Sequence, residues 1–286
     1  MVDISAAQVK ELREKTGLGL MDCKKALQGS NGDIELAIEE LRKSSGLKAS
    51  KKSGRSAADG LIGAISSSLK SCMVEINCET DFVARDDSFN SFVQEVILEV
   101  SNTELSLEEL LNQGIEDKRE KLVQKLGENI VVRRISRSIE GADFSGLYVH
   151  STKRIGVIIS LAGGNEETAR DIAMHAAATD PLSVSPEDIP EDIIAKEKEI
   201  YKAQSEESGK PAEIVEKMIE GKIRKYLAEV SLTEQNFVKD PNKKISDILA
   251  ENNAKIIGFT RFEVGEGIEV EKVDFASEVM SQIEGS

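Results

Sequence analysis

The chain has 286 residues with a net charge of −15, and 31% of its residues are charged. This length predicts two or three compact units, and the acidic balance argues against a mainly electrostatic grip on nucleic acid, which requires a basic face. The longest apolar run, Ile155 to Ala162, is far shorter than the ~20 residues that span a bilayer, so no membrane segment is expected.

The chain begins with MVDISAAQVKELREK, which has neither the basic start nor the apolar segment of an export signal. Its three cysteines are an odd number, as is common in a reducing compartment. Together these features predict a cytoplasmic protein.

The first predicted element is a three-helix bundle over residues 1–47. Ser5 and Gln8 have the capping-box spacing ahead of the first helix, and the glycine-containing stretches at 16–19 and 29–33 separate it from two more helices. Leu18, Leu20 and Met21 lie at the start of the second helix, where they either fill this small core or stay exposed for a partner. The size of the bundle favours core filling.

A basic segment, residues 48–58, follows the bundle. Lys48, Lys51, Lys52 and Arg55 alternate with Ser, Gly and Ala, which predicts a flexible linker. Contact of this segment with RNA is the alternative interpretation.

Two similar stretches in the middle of the chain each predict two strands followed by a helix. The first unit covers 59–140, and the second covers 141–186 together with 231–266. The helix of the first unit has apolar residues at helical spacing from Phe89 to Val100 after an acidic start at Asp86. The segments NIVVRRISRSI and KIIGFTRFEV supply a third strand to each sheet, so the fold class is α+β.

An insertion at 187–230 predicts two antiparallel helices that meet at a turn, Gly209-Lys210-Pro211. A two-helix layer buries only one face of each helix, and such hairpins commonly make partner or self contacts. A homodimer formed through this coiled-coil hairpin is therefore considered.

The segment EINCETDFVAR, Glu75 to Arg85, raises the main question about function. Cys72, Val74, Ile76 and Cys78 share one face at period two, which predicts a half-buried strand up to Glu79. If the alternation of inward and outward side chains continued past the strand, Phe82 would point inward as a core residue. The alternative is that Phe82 is exposed and acts as a probe.

A search for catalytic chemistry finds no assembled site. The chain has two histidines, His150 and His175, and it lacks a nucleophile elbow, a P-loop, a dinucleotide fingerprint and a metal-spaced Cys/His set. His175 is expected to pack inside a helix, and Cys72 and Cys78 are expected in the core. These observations predict a binding protein with no cofactor and no metal, rather than an enzyme.

Two long motifs then resemble one family closely: LREKTGLGLMDCKKAL, Leu12 to Leu27, and EINCETDFVAR. Both are similar to signatures of bacterial translation elongation factor Ts, and the resemblance covers essentially the whole chain. It implies a ubiquitin-associated-like (UBA-like) N-terminal module, a coiled-coil dimerisation module at 187–230 and a C-terminal helical module at 267–286. It also implies that the protein promotes guanine nucleotide exchange on elongation factor Tu. The partner would be bound in both its GDP-bound and its nucleotide-free form.

The resemblance also implies which residues carry the function. The segment Thr80, Asp81, Phe82 and Val83 would approach the nucleotide site of elongation factor Tu and displace its Mg²⁺, with Phe82 as an exposed wedge. Leu12, Leu20 and Met21 would contact the partner's nucleotide domain, and His150 would face another partner domain.

Two other functions stay open at the sequence level. A ubiquitin-associated-type adaptor would use the bundle alone, which would leave about 230 residues without a role. An RNA-binding subunit would use the basic segment, and its affinity would fall steeply with salt.

Overall fold

The computed structural model describes residues 4–67, 70–206 and 211–269. It combines helices with small antiparallel sheets, as expected for an α+β chain. The helices are α1 (Ala6–Thr16), α2 (Leu20–Gly29), α3 (Ile34–Lys52), α4 (Asp81–Ala84), α5 (Asp87–Asn102), α6 (Leu107–Leu110), α7 (Glu116–Leu126), α8 (Glu166–Thr179), α9 (Glu191–Glu206), α10 (Ala212–Val230) and α11 (Ile245–Glu251). The strands are β1 (Asp59–Ser66), β2 (Ser71–Cys78), β3 (Val131–Arg137), β4 (Phe144–Val149), β5 (Ile155–Gly163), β6 (Asn236–Phe237), β7 (Asp240–Lys244) and β8 (Ala254–Glu263).

Helices α1 to α3 form the N-terminal bundle. The predicted capping box is present, because the Ser5 hydroxyl accepts from Gln8 N and the Gln8 side chain accepts from Ser5 N. Gly17 ends α1 with φ 70°, a left-handed conformation that glycine adopts without steric cost. The bundle encloses a small core of buried side chains: Val9, Leu12, Leu18, Cys23, Leu27, Ala37 and Leu41.

The flexible linker predicted at 48–58 is wrong for its first five residues, because α3 continues through Lys52. The second half of α3 packs against α7, where Gln124 Nε2 donates to Ser44 Oγ at 3.4 Å. Ala49 is buried in the core of the first sheet. The bundle is therefore joined to the rest of the protein by packing of α3.

Two three-stranded antiparallel sheets form the centre of the molecule, with strand orders β1-β2-β3 and β4-β5-β8. Both predicted third strands are present. Helix α5 covers one face of the first sheet with the apolar residues expected from its periodicity, and α8 packs on β4 and β5. Gly146 in β4 permits this second contact, because a Cβ there would lie 2.1 Å from the backbone of Ala169.

Strand β2 is buried along its whole length, so the half-buried strand predicted for it is wrong. One face carries Val74 and Ile76 into the core beneath α5. The other face carries Met73 against a small cluster contributed by both sheets, which includes Ile158 and Phe262. The two sheets therefore bury the second face of β2 between them, which period-two patterning in one strand does not reveal.

Helices α9 and α10 pack against each other as a hairpin, in agreement with two helices expected at 187–230. Most of the predicted turn, Gly209 and Lys210, lies outside the described residues. The short strands β6 and β7 and helix α11 connect the hairpin to β8 and were not predicted. The expected C-terminal helical module also lies outside the described residues, except for 267–269, which are not helical.

Candidate functional site

Helix α4 is a single turn that follows the buried strand β2 directly. Thr80 is its N-cap, and the Thr80 hydroxyl accepts from Val83 N at 3.4 Å. Because the chain changes from strand to helix at Asp81, successive side chains turn by about 100° instead of alternating. Val83 and Ala84 then point into the core, whereas Phe82 is 80% exposed. The inward orientation expected from strand parity is therefore wrong for Phe82.

Glu128, in the turn between α7 and β3, holds the start of this helix. Its Oε2 accepts from the backbone N–H groups of Glu79 and Thr80 at 3.1 and 3.0 Å, and its Oε1 accepts from the Thr80 hydroxyl at 2.6 Å. Hydrogen bonds to an ionised acceptor are about twice as strong as neutral ones. The segment that exposes Phe82 is therefore anchored by a residue that sequence reasoning missed.

The polar groups around Phe82 do not form a reactive centre. Asp81 is exposed and pairs with Arg85 at 2.8 Å within the same turn. Burial, with the nearby charges of Glu128 and Asp59, raises the pKa of the Cys78 thiol to about 12. Cys78 therefore stays protonated, and its Sγ donates to Thr80 O at 3.2 Å.

The four bundle residues singled out from the sequence do not share one environment. Leu20 and Met21, in the first turn of α2, are 53% and 65% exposed, so core filling is wrong for both. Leu18 is buried, as core filling requires. Leu12 is 0% exposed inside the bundle, so its side chain offers no surface to a partner and its predicted contact role is corrected to packing.

His150 is exposed in the turn between β4 and β5, where its Nδ1 lies 2.8 Å from the Thr152 hydroxyl. This turn is attached to the first sheet, because Lys153 O accepts from Ile62 N at 2.8 Å and Arg154 pairs with Asp59. The turn that carries His150 is therefore held against β1.

His175 is fully buried in α8, as expected from the sequence. Its Nδ1 accepts from Val238 N at 3.3 Å, which places the ring proton on Nε2, 3.0 Å from Gln235 Oε1. Burial lowers the pKa of His175, so the ring is neutral and packs within the second unit.

The basic segment is mostly used within the chain. Lys48 pairs with Asp22 at 3.4 Å, Lys52 donates to Gly127 O, and the Arg55 guanidinium lies 3.5 Å from Glu79. These contacts support a structural role for the segment.

Residues 4–67, 70–206 and 211–269 contain no group of three or more His, Cys, Asp or Glu side chains arranged to hold a metal ion. Within the same ranges no helix is both long and apolar enough to cross a bilayer.

Comparisons with known proteins identify the family. The model of the family described as elongation factor TS matches residues 79–266, well over half of the chain. Elongation factor Ts of Hahella chejuensis is 54% identical, and the alignment covers 100% of both chains. The protein of the same name from Marinobacter nauticus is 54% identical over 98% of this chain and 97% of its own. That of Francisella tularensis subsp. novicida is 50% identical over 100% of both. The chain therefore belongs to the elongation factor Ts family.

Proposed function

We propose that this protein is a guanine nucleotide exchange factor that binds elongation factor Tu with GDP, disturbs its Mg²⁺ and phosphate site and promotes GDP release. The observation that carries the proposal is the Phe82 ring, 80% exposed on a one-turn helix whose start is held by Glu128. Large apolar side chains exposed on a fixed backbone are typical anchors of protein interfaces.

The energetics require a wedge rather than a reactive group. Mg²⁺ in a GTPase is held in a near-octahedral shell by protein oxygens and phosphates, and this shell tolerates little distortion. A factor that binds the distorted, nucleotide-free form more tightly weakens GDP by the same factor by which GDP weakens it. In this proposal Phe82 inserts beside the Mg²⁺ site, and Asp81 acts on the helix ends that frame it. Thr80 and Val83 hold the turn in place.

Two further surfaces contribute in the proposal. Leu20 and Met21 bind the nucleotide domain of elongation factor Tu, because both are large, apolar and exposed at one end of α2. His150 faces a second domain of the partner from the turn between β4 and β5. Leu12 is not part of this interface.

In this proposal the protein acts in the cytoplasm, with elongation factor Tu as its partner. Direct contact with nucleic acid is not part of the proposal, since three of the four cations of the basic segment, Lys48, Lys52 and Arg55, bind carboxylates or a carbonyl of the same chain. The hairpin of α9 and α10 is the place where a second copy would pair, and Ile200 and Ile214 are exposed on it.

The test is the release of labelled GDP from elongation factor Tu. We expect sub-stoichiometric protein to accelerate release through many turnovers without consuming GTP, because an exchange factor is regenerated when GTP binds. Heat-denatured protein is the matched control. A release rate that is independent of the protein concentration would contradict the proposal.

A further inference from the structure

Glu128 contacts the start of α4 across 48 residues of sequence. Both of its carboxylate oxygens are used: Oε2 binds the N–H groups of Glu79 and Thr80, and Oε1 binds the Thr80 hydroxyl. These three donors lie at the position where β2 ends and α4 begins. The carboxylate therefore fixes the backbone at the start of α4. The backbone there sets the direction in which the side chains of α4 point.

The turn that carries Glu128 also binds the end of α3. Asn129 Nδ2 donates to Arg55 O at 2.8 Å and to Ser53 O at 3.4 Å. Asn129 N donates to Glu79 Oε1 at 2.6 Å. We call residues 127–129 the clasp, because they contact the Phe82 segment on one side and the tail of the N-terminal bundle on the other.

The Glu128 carboxylate is not needed to keep buried groups hydrogen-bonded. Glu79, Thr80 and Glu128 are each only partly buried, so water can reach their polar atoms once the carboxylate is removed. Water can accept a hydrogen bond from each of these donors, but it does not fix the direction in which the donor points. The main effect of Glu128 is therefore on the orientation of α4, and its effect on global stability is smaller.

We propose that Glu128 is a positioning residue for nucleotide exchange, which preorganises α4 so that Phe82 meets elongation factor Tu in one fixed orientation. The inference rests on the proposed function, and it adds a residue that does not itself touch the partner's nucleotide site. A wedge that is held loosely spends binding energy on its own ordering, and a misplacement of about 1 Å can cost up to ~100-fold in rate.

The first measurement is GDP release at saturating protein with Glu128→Ala, Glu128→Gln and the wild type. We expect Glu128→Ala to lower the maximal release rate by about tenfold while the half-saturating concentration changes by less than about twofold. Glu128→Gln should recover part of the rate, because its single amide oxygen still accepts from the two N–H groups. Glu140→Ala is the control, since Glu140 is an exposed carboxylate in the loop between β3 and β4. A wild-type maximal rate in Glu128→Ala would overturn the proposal.

The second measurement uses the free protein and needs no partner. We expect amide hydrogen exchange at Glu79 and Thr80 to be about tenfold faster in Glu128→Ala, with exchange along β2 unchanged. Unchanged protection of these two amides would refute the role of Glu128. A wild type that leaves GDP release unchanged would instead refute the proposed function. If Glu128→Ala loses protection throughout the chain, the same comparison is made with Glu128→Gln.

Discussion

Phe82 exposes an aromatic ring to water at the end of a strand in which every residue is buried. An exposed aromatic ring carries the unfavourable free energy of hydrating apolar surface. This free energy is regained when the ring is buried in a partner. The neighbouring Val83 and Ala84 lie in the core and keep the turn in place. The proposal therefore assigns binding to Phe82 and stability to the adjacent Val83 and Ala84.

Truncation of Phe82 separates these two roles. In Phe82→Ala we expect the free energy of unfolding to change by less than about 0.5 kcal/mol, because the ring is exposed. GDP release should slow by tens- to hundreds-fold, which corresponds to the ~2–4 kcal/mol of an interface hot spot. Thermal melts and release rates on one preparation test this. A clearly lower melting temperature together with normal exchange per folded molecule would show that the ring is a core residue.

Leu12 and Leu20 provide a matched pair of leucines within the same bundle. Leu12→Ala should destabilise the bundle by about 2–5 kcal/mol, since it leaves a cavity in a fully buried position. Leu20→Ala should leave stability within about 0.5 kcal/mol and weaken binding of elongation factor Tu by about tenfold. Chemical denaturation and binding titrations measure the two effects. Equal losses of stability in both variants would contradict the burial difference.

Helix α3 is the element that connects the bundle to the first sheet. Its first half contributes to the bundle core, and its second half lies on α7 and places Ala49 in the core of the first sheet. The bundle surface formed by Leu20 and Met21 is therefore held at a fixed position relative to the first sheet. Fixed spacing of two contact surfaces lowers the ordering cost of binding both at once.

Deletion of residues 1–50 tests this connection. We expect the melting temperature of the remaining chain to fall by at least about 2–4 °C, because the deletion exposes the part of the core that Ala49 covers and the face of α7 that packs against α3. The double variant Leu20→Ala/Met21→Ala is the control, since it removes the exposed surface and keeps α3. An unchanged melting temperature in the deletion would show that the bundle is an independent unit.

The elements that were predicted correctly are those with strong local patterns. Helix α5 has a 3.6-residue period and an acidic cap at Asp86, and β8 is a ten-residue strand rich in Ile and Phe. Strands β6 and β7 are short and polar, so no period distinguishes them from a loop. The exposure of Phe82 depends on a switch from strand to helix within three residues, and the contact of Glu128 joins positions 48 residues apart. Neither feature leaves a periodic signal.

At the scale of the whole molecule, the two sheets are joined by the buried carboxylate of Glu75. Its Oε1 accepts from Arg133 Nη1 at 3.0 Å and from Gly265 N at 2.9 Å, and its Oε2 accepts from Arg134 Nε at 2.5 Å. The Arg134 guanidinium also lies 4.2 Å from the centre of the Phe262 ring. The single carboxylate of Glu75 thus connects β2 with β3 and with the segment after β8.

The pH dependence of stability follows from this site. Burial raises the pKa of Glu75, but the hydrogen bonds from Gly265, Arg134, Arg133 and Asn77 outweigh it and leave the pKa below its usual value. A depressed carboxyl pKa contributes stability above the unfolded value of about 4.3, and this contribution is lost as the pH falls through the folded pKa.

Glu75→Gln removes the charge and keeps the shape. At pH 7 we expect a loss of roughly 3 kcal/mol, at the low end for a broken buried pair, because the two arginines remain 26% and 30% exposed. The difference from wild type should shrink as the pH falls below about 4. Denaturant titrations at several pH values measure it, with Glu140→Gln as the exposed control. A stability difference between Glu75→Gln and wild type that does not depend on pH would refute the assignment of this pH dependence to Glu75.

The Glu75 site also has a consequence for folding during synthesis. The carboxylate lies in the second strand of the protein, whereas Gly265 and the second sheet's last strand, β8, are made near the end of the chain. Until β8 is made, the second sheet lacks its third strand, the cluster on the Met73 face of β2 lacks Phe262, and Glu75 lacks one of its donors. Domains generally fold as units once their residues are available. We therefore expect nascent chains that stop before β8 to be protease-sensitive in β2, although their N-terminal bundle is already complete.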